Sequence, residues 1–243
     1  MMRSTRDIHD WRHLCLDLPT EYSYRTGRSI VPPHDSTEPI GTAKWLDEAE
    51  LRMRSLREDA WTKGEFNRFV FLHDRKWRWP ALKTVSASLG ASRLLAQLFR
   101  DVWVDSEDIY RERRIVRMLV HLIHGFESHL LSPEDRDRFE SMPEPLKIYR
   151  GAKPWNRHGM SWTVDLDRAV YFATHHYFDG AACILPPSEL GFVMEKTVSK
   201  KKILFYTNGC DEDEVVLPRF ERGKKSPEGI LQVAAYAGAE AFS

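Results

Sequence analysis

Cysteine is scarce in this chain, and long apolar runs are absent. Cys15, Cys183 and Cys210 are the only cysteines in 243 residues. An odd and sparse set of cysteines does not indicate a disulfide framework, so we expect a reducing compartment. No apolar run approaches the length of a membrane span, and the N-terminal segment lacks the apolar stretch of a signal peptide. The sequence predicts a cytoplasmic protein without a membrane partner, and a protein delivered into a host cytoplasm would have the same composition.

An excess of charge of either sign is also missing. The chain carries 36 Lys+Arg and 36 Asp+Glu, for a formal net charge of zero. Bulk charge therefore gives no support for a nucleic-acid-binding protein, although local basic patches remain possible. The sequence also contains no Walker loop, no Rossmann glycine fingerprint and no zinc-ligand spacing, so we expect no metal.

The pattern of apolar residues divides the chain into a helical part and a β-rich part. Helical spacing extends over residues 42–60, 65–73 and 94–103, and a longer helix is predicted from Ser106 to about residue 130. Trp77, Trp79 and Pro80 interrupt the helical spacing. Short β-rich segments then occur at 146–149, 160–164, 192–198, 203–206 and 214–217, with one helix at about 166–176. The predicted fold class is α+β, with an N-terminal helical lobe followed by a mainly antiparallel β core.

The first part of the chain is expected to differ from the rest. Residues 1–41 are polar and contain four prolines, which predicts an extended arm with little regular structure. We therefore divide the chain into residues 1–85, an N-terminal extension with helices, and residues 86–243, the domain that carries the candidate chemistry. The sequence does not indicate what the extension does.

One stretch, KIYRGAKPWNRHGMSWTVDLDRAVYFA, combines a charged strand end with aromatic residues. Arg150 ends an apolar run and directly precedes Gly151, a placement that suits an anionic ligand better than a surface strand. Ser161 and Thr163 lie on a following strand, where alternation places them on one face and Trp162 on the other. Asp165 is in position to cap the helix that follows.

A second stretch, YTNGCDEDEVVLP, contains a turn followed by a strand that enters a core. Glu212 and Glu214 are two residues apart, and in an extended chain that spacing places both carboxylates on one face. Considered alone, this stretch is also compatible with a solvated acidic loop.

Taken in order, these motifs resemble the Arg–Ser–Glu class of ADP-ribosyltransferases, which includes arginine-modifying bacterial toxins and many phage enzymes. The resemblance covers roughly residues 145–218, and the preceding helices are expected to form the helical lobe of the same fold. It implies a β core of the ADP-ribosyltransferase type and NAD as the substrate.

The resemblance also implies roles for the residues that match. Arg150 would hold a phosphate of NAD, since a guanidinium offers a planar fork to phosphate oxygens. Gly151 would let the backbone approach the ligand and bind the nicotinamide amide. Ser161 would position the catalytic carboxylate, and Thr163 would brace the neighbouring strand. The family often has a second serine where Thr163 stands.

The resemblance implies that one glutamate acts on the ribose of NAD and the other on the acceptor. Glu214 would stabilise the positive charge that develops on the ribose as nicotinamide leaves. Glu212 would orient the acceptor, and a glutamate at this position predicts protein arginine. Tyr171 and Phe172 are candidates to stack on the nicotinamide ring, and packing of the helix onto the sheet stays open as the alternative role of each.

The leading hypothesis is thus a mono-ADP-ribosyltransferase that releases nicotinamide. Two alternatives stay open. The first is a binding or assembly module that keeps this fold without catalysis, and the second is an NAD glycohydrolase in which water replaces the acceptor. A nucleic-acid acceptor also remains open.

Overall fold

The computed structural model of the protein describes residues 43–106, 109–178, 181–185, 189–209 and 212–240. In this part of the chain a group of helices precedes an antiparallel sheet, so the α+β class predicted from the sequence is confirmed. The predicted arm over residues 1–41 lies outside the described residues. Within these ranges, no helix combines the length and the apolar character needed to cross a membrane.

Within the described ranges, six α-helices make up the helical lobe. Two of them begin at serine caps, because the hydroxyl of Ser92 accepts from the backbone N–H of Leu95 and that of Ser132 accepts from Asp135. The helices are α1 (Ala43–Thr62), α2 (Phe66–Phe71), α3 (Arg75–Leu89), α4 (Arg93–Val104), α5 (Arg113–Leu122) and α6 (Pro133–Ser141).

The predicted interruption near Pro80 is wrong, because α3 continues through this proline. A proline inside a helix costs about 3 kcal/mol, since it removes a hydrogen bond and crowds the preceding turn. The buried side chains of Trp79, Leu82 and Val85 on the same helix offset that cost.

The long helix predicted from Ser106 to residue 130 is also wrong, since α5 begins at Arg113 and ends at Leu122. Residues 107 and 108, at the predicted start of this helix, lie outside the described residues. The Ser106 hydroxyl bonds to the preceding helix. It donates to the carbonyl of Val102 at the end of α4, at 2.6 Å. Beyond α5, Gly125 has a φ of +90°, which ends the helical path.

Among the residues that the structure describes, eight strands follow the helical lobe, and one helix lies between them. They are β1 (Leu146–Ala152), β2 (Gly159–Thr163), β3 (His175–Phe178), β4 (Ala181–Ile184), β5 (Phe192–Val198), β6 (Phe205–Thr207), β7 (Glu214–Glu221) and β8 (Lys224–Lys225). Six of them form one sheet in the order β6-β7-β2-β1-β5-β8, and every neighbouring pair is antiparallel. The pair β3-β4 forms a separate hairpin.

Two further helices pack beside this sheet. Helix α7 (Leu166–Thr174) begins after Asp165, whose carboxylate accepts from two backbone N–H groups as predicted. Helix α8 (Pro227–Glu240) was not predicted from the sequence, and neither were β3, β4 and β8.

Apolar side chains cover the sheet on both faces. Phe205 and Val216 belong to the core of the helical lobe, whereas Trp162 and Val215 belong to a second cluster. Adjacent valines on β7 thus enter different cores, as the alternation of a strand requires. A third cluster joins α7 and α8 to Val193 of β5.

The domain boundary predicted between residues 85 and 86 lies inside α3. Val85 is fully buried, and it belongs to the same apolar cluster as Phe69, Phe99 and the strand residue Phe205. No break in secondary structure marks this position, and the residues on its two sides share one core.

Strand β1 and helix α7 are in close contact at Gly151. A Cβ atom at this position would overlap the carbonyl oxygen of Ala169 and would lie 2.6 Å from the backbone nitrogen of Ala173 and 2.8 Å from Cβ of Phe172. The space that a side chain would occupy is therefore filled by the helix and is not open to a ligand. The packing of α7 on β1 is therefore a structural reason for a glycine at position 151.

We expect Gly151→Ala to lower the free energy of unfolding by about 3 kcal/mol, because a methyl group must push α7 away from β1. Urea unfolding measures this change. Gly64→Asn is the matched control, because Gly64 has a φ of +71° that asparagine tolerates and has no atom within 4 Å of its Cβ position. The control should cost less than about 1 kcal/mol. Equal costs would contradict the close packing of α7 on β1.

Candidate active site

The carboxylate of Glu214 lies where the helical lobe meets the sheet. Glu214 is the first residue of β7, and it pairs with Thr163 of β2 on one side and Thr207 of β6 on the other. The indole N–H of Trp103, on α4, donates to both carboxylate oxygens, with 3.1 Å between the nitrogen and each oxygen. Ser161 of β2 forms a side-chain hydrogen bond to the same carboxylate.

The surroundings of Glu214 favour its neutral form. Burial raises the pKa of its carboxyl to about 7, and the nearby Glu212 adds to this effect. Hydrogen bonds from Ser161 and Trp103 and the charge of Arg150 oppose it. A carboxyl with a pKa close to neutral is typical of groups tuned for chemistry, although buried ion networks also produce such shifts.

Arg150 reaches from β1 across to β2 and the loop before it. Its Nη1 donates to the carbonyl of Ser161 at 2.5 Å, and its Nη2 donates to the carbonyl of Asn156 at 3.3 Å. The guanidinium lies directly against Gly159, where any side chain would collide with it. Burial lowers the pKa of Arg150 to about 10, so the group stays charged at neutral pH.

The sheet opens where Arg150 lies. Strands β1 and β2 are paired at Tyr149 and Thr163, whereas β1 pairs with β5 along its whole length, from Leu146 to Ala152. The Nε atom of Arg150 is buried and has no hydrogen-bond partner among the described residues. The opening between the two strands therefore contains a charged group with donor capacity to spare.

The backbone between Glu212 and Glu214 does not have the extended conformation that the sequence predicts. Asp213 has a φ of +46°, so the chain is not extended at this residue and β7 begins only after it. The prediction that an extended strand places both glutamates on one face is therefore wrong. The two carboxyls are still close enough to interact, and burial raises the pKa of Glu212 while Arg168 on α7 lowers it.

Thr163 ties the backbone of Glu212 to the start of α7. Its hydroxyl donates to the Glu212 carbonyl at 2.8 Å and accepts from the N–H of Asp165 at 3.0 Å. The backbone N–H of Val164 also donates to the Asp213 carbonyl, at 3.2 Å. A hydroxyl is thus needed at position 163 for a local structural reason, which serine would also satisfy.

Helix α6 holds the described ends of the loop before β7. The carboxylate of Asp135 accepts from the N–H of Asn208 at 2.9 Å and from Arg100 at 2.8 Å. Arg138 donates to the carboxylate of Asp213 at 2.7 Å, and Tyr206 also donates to this carboxylate. The loop that presents Glu212 is therefore fixed by charged groups of the helical lobe.

The aromatic candidates on α7 have partners within the protein. The ring of Tyr171 stacks on His175, with 4.1 Å between ring centroids, and meets Phe172 edge-on at 5.8 Å. Trp162 is buried and donates to the carbonyl of Gly159, which supports the packing role suggested by strand alternation. Trp155, in the loop between β1 and β2, is 67% exposed.

The structure thus brings together most residues singled out in the sequence. Arg150, Ser161 and Glu214 lie on three adjacent strands, and Thr163 supports the backbone of Glu212. Trp103 was missed, because it lies on the apolar stripe of α4 and its spacing indicates only core packing. The one available signal was general, since a buried indole N–H usually finds a hydrogen-bond partner.

Comparisons with known proteins found no relative of this chain. No protein-family model, no curated protein and no solved structure matches the chain. Within the described ranges, no group of three or more His, Cys, Asp or Glu side chains is arranged to hold a metal ion. The functional argument therefore depends on the geometry of the site.

The raised pKa of Glu214 predicts an effect on stability. Between the unfolded pKa of about 4.3 and the folded pKa of about 7, the folded state binds more protons, so this group contributes stability at low pH that is lost as the pH rises through 7. We expect Glu214→Gln, which is always neutral, to be more stable than the parent by about 1–3 kcal/mol at pH 8 and similar to it at pH 4.

Urea unfolding at the two pH values measures this difference. The exposed Glu140 on α6 provides the control, because Glu140→Gln should change stability equally little at both. A Glu214→Gln protein that is no more stable than the parent at pH 8 would mean that the carboxylate is well solvated.

Proposed function

We propose that the protein is a mono-ADP-ribosyltransferase that transfers ADP-ribose from NAD to a protein arginine and releases nicotinamide. The proposal includes a β core of the ADP-ribosyltransferase type, formed by the six-stranded sheet with α7 and α8. The observation that carries it is the buried carboxylate of Glu214 beside Ser161, with the buried guanidinium of Arg150 on the next strand but one.

The first chemical step breaks the bond between nicotinamide and C1′ of the ribose. The electron pair of this bond stays on the nicotinamide nitrogen, which becomes neutral, and positive charge develops on the sugar. A fixed carboxylate stabilises this charge better than water does, because the carboxylate needs no reorganisation during the reaction. Glu214 is suited to this role because Trp103 and Ser161 already orient it.

Arg150 is the proposed ligand for a phosphate of NAD. Two of its N–H groups donate to main-chain carbonyls, which fixes the plane of the guanidinium between β1 and β2. A guanidinium has five N–H donors, so donors remain for an anion. Its positive charge, retained at neutral pH, is the second requirement for binding a diphosphate.

Glu212 is the proposed group on the acceptor side. An arginine nitrogen attacks C1′ as nicotinamide departs, and a proton must leave that nitrogen. Burial raises the pKa of Glu212, which makes its carboxylate a better proton acceptor. Arg168, whose charge acts on Glu212, lies on the helix that also carries Tyr171 and Phe172, the proposed contacts of the nicotinamide ring.

We expect Glu214→Gln to lower the turnover of NAD by about 10²–10³, because an amide cannot stabilise the sugar cation as a carboxylate does. Binding of NAD, measured by calorimetry, should change less than about threefold, since the effect belongs to the transition state. Turnover is measured as nicotinamide release. In the parent, turnover should also rise with pH around 7, because the reaction needs the ionised carboxylate.

Glu140→Gln is the control, since Glu140 is an exposed residue of α6. Its turnover should equal that of the parent. Turnover of Glu214→Gln within about threefold of the parent would remove Glu214 from the reaction and, with it, the proposed function.

Glu212→Gln should separate transfer from hydrolysis. We expect transfer to agmatine to be lost, because an amide cannot accept the proton of the guanidinium, whereas slow hydrolysis of NAD to ADP-ribose should survive. Both activities are measured on one preparation, as ADP-ribosyl-agmatine and as free ADP-ribose.

Three results are informative. Selective loss of transfer supports arginine as the acceptor. Equal loss of both activities would place Glu212 in NAD binding or in the fold of the loop. Hydrolysis by the parent without any transfer would instead identify an NAD glycohydrolase.

A further inference from the structure

Trp103 makes a contact that its packing does not require. Its indole ring is 1% exposed and lies edge-on to Trp79 and Phe205, with ring centroids 6.3 and 5.8 Å away. These contacts hold the ring from the helical side and from the sheet. The N–H of the ring then points at the carboxylate of Glu214 and lies at the same distance from both oxygens.

Trp79 shows that the core does not need an indole N–H with a partner. This residue is 2% exposed and belongs to the same apolar cluster as Trp103. Its Nε1 is buried and has no hydrogen-bond partner among the described residues. Two neighbouring tryptophans therefore have similar burial, and only Trp103 directs its N–H toward the candidate site.

A neutral hydrogen-bond donor orients a carboxylate without neutralising its charge, whereas a charged donor does both. A lysine or arginine in contact would neutralise the charge of Glu214, which would then be less available to a sugar cation. The indole N–H donates without carrying a charge, and it has no acceptor function at the nitrogen. A donor shared by both oxygens also fixes the rotation of the carboxylate about its last bond.

We propose that Trp103 is the positioning residue of Glu214, which holds the carboxylate in one plane and keeps it available in its ionised form for NAD cleavage. This inference rests on the proposed function for its catalytic consequence. Its structural part, the coupling between the indole N–H and the carboxyl, is testable without any activity.

The effect of removing the indole N–H of Trp103 on the pKa of Glu214 depends on the other charged and polar groups that face this carboxyl. They are Ser161 on β2, Trp103 on α4, Glu212 in the loop before β7, and Arg150 on β1. Arg168 on α7 faces Glu212. Loss of the Trp103 donor leaves only Ser161 and Arg150 to oppose burial and Glu212, so the pKa of Glu214 should rise above its value in the parent.

The sharpest variant replaces Trp103 with 3-benzothienylalanine, in which sulfur stands in place of the N–H and the ring keeps nearly the same shape. Trp103→Phe is the genetically simpler version. We expect kcat for nicotinamide release at pH 7 to fall about tenfold or more in both variants, with KM for NAD changed less than about twofold. The acid limb of the kcat–pH profile should move to higher pH.

Trp61→Phe is the matched control, because it makes the same change of ring at a tryptophan that packs against the same apolar cluster, where its ring meets Phe66 and Phe69. It should leave kcat and the pH profile near those of the parent. An equal fall in kcat with an unmoved pH profile in both phenylalanine variants would reduce Trp103 to a packing residue and overturn the proposal.

Carbon-13 NMR of the glutamate side chains provides the readout that is independent of turnover. The carboxyl signal of Glu214, assigned with Glu214→Gln, should titrate at higher pH in both Trp103 variants and at the parent value in Trp61→Phe. An unchanged titration in the Trp103 variants would overturn the proposal. A parent protein that does not cleave NAD but shows the shifted titration would overturn the proposed function and keep the coupling.

Discussion

A buried carboxylate at the junction of the helical lobe and the sheet is the constraint on which the rest of the structure depends. An ionised carboxylate without partners would be very costly away from water. Glu214 is tolerated because donors from two different elements reach it, the indole of Trp103 on α4 and the hydroxyl of Ser161 on β2. Since one donor comes from the lobe and one from the sheet, the two layers must pack in a single arrangement for both bonds to form. The helical lobe is therefore part of the site.

The elements that could be predicted from the sequence are those with a capping residue or a clear apolar period. Ser132-Pro133-Glu134 marks the start of α6, and Asp165 marks the start of α7. Ser226-Pro227-Glu228 has the same form as the first of these and marks the start of α8, so this helix was predictable from its serine cap and first-turn proline. Helix α3 was not, because tertiary burial overrides the local effect of Pro80.

The site residues that lie on neighbouring strands could be predicted from the sequence. The residue that reaches the site only through long-range packing could not. Arg150, Ser161 and Glu214 belong to short strands, and antiparallel pairing brings these strands side by side. Trp103 is 111 positions away from Glu214 along the chain, and no local pattern links the two. The route of the chain at Asp213 was missed for another reason, since a positive φ at a residue other than glycine has no reliable sequence signal.

The attachment of the loop before β7 to helix α6 limits how this loop can be changed, by engineering or in evolution. Asp135 and Arg138 of α6 bind Asn208 and Asp213 at the two described ends of this loop. A loop grafted from another protein would leave one oxygen of the buried Asp135 and the guanidinium of Arg138 without their partners in the loop, and the graft would lose its fixed ends. Helix α6 and the loop before β7 therefore depend on each other. A redesign of the loop that carries Glu212 has to change its partners on α6 as well.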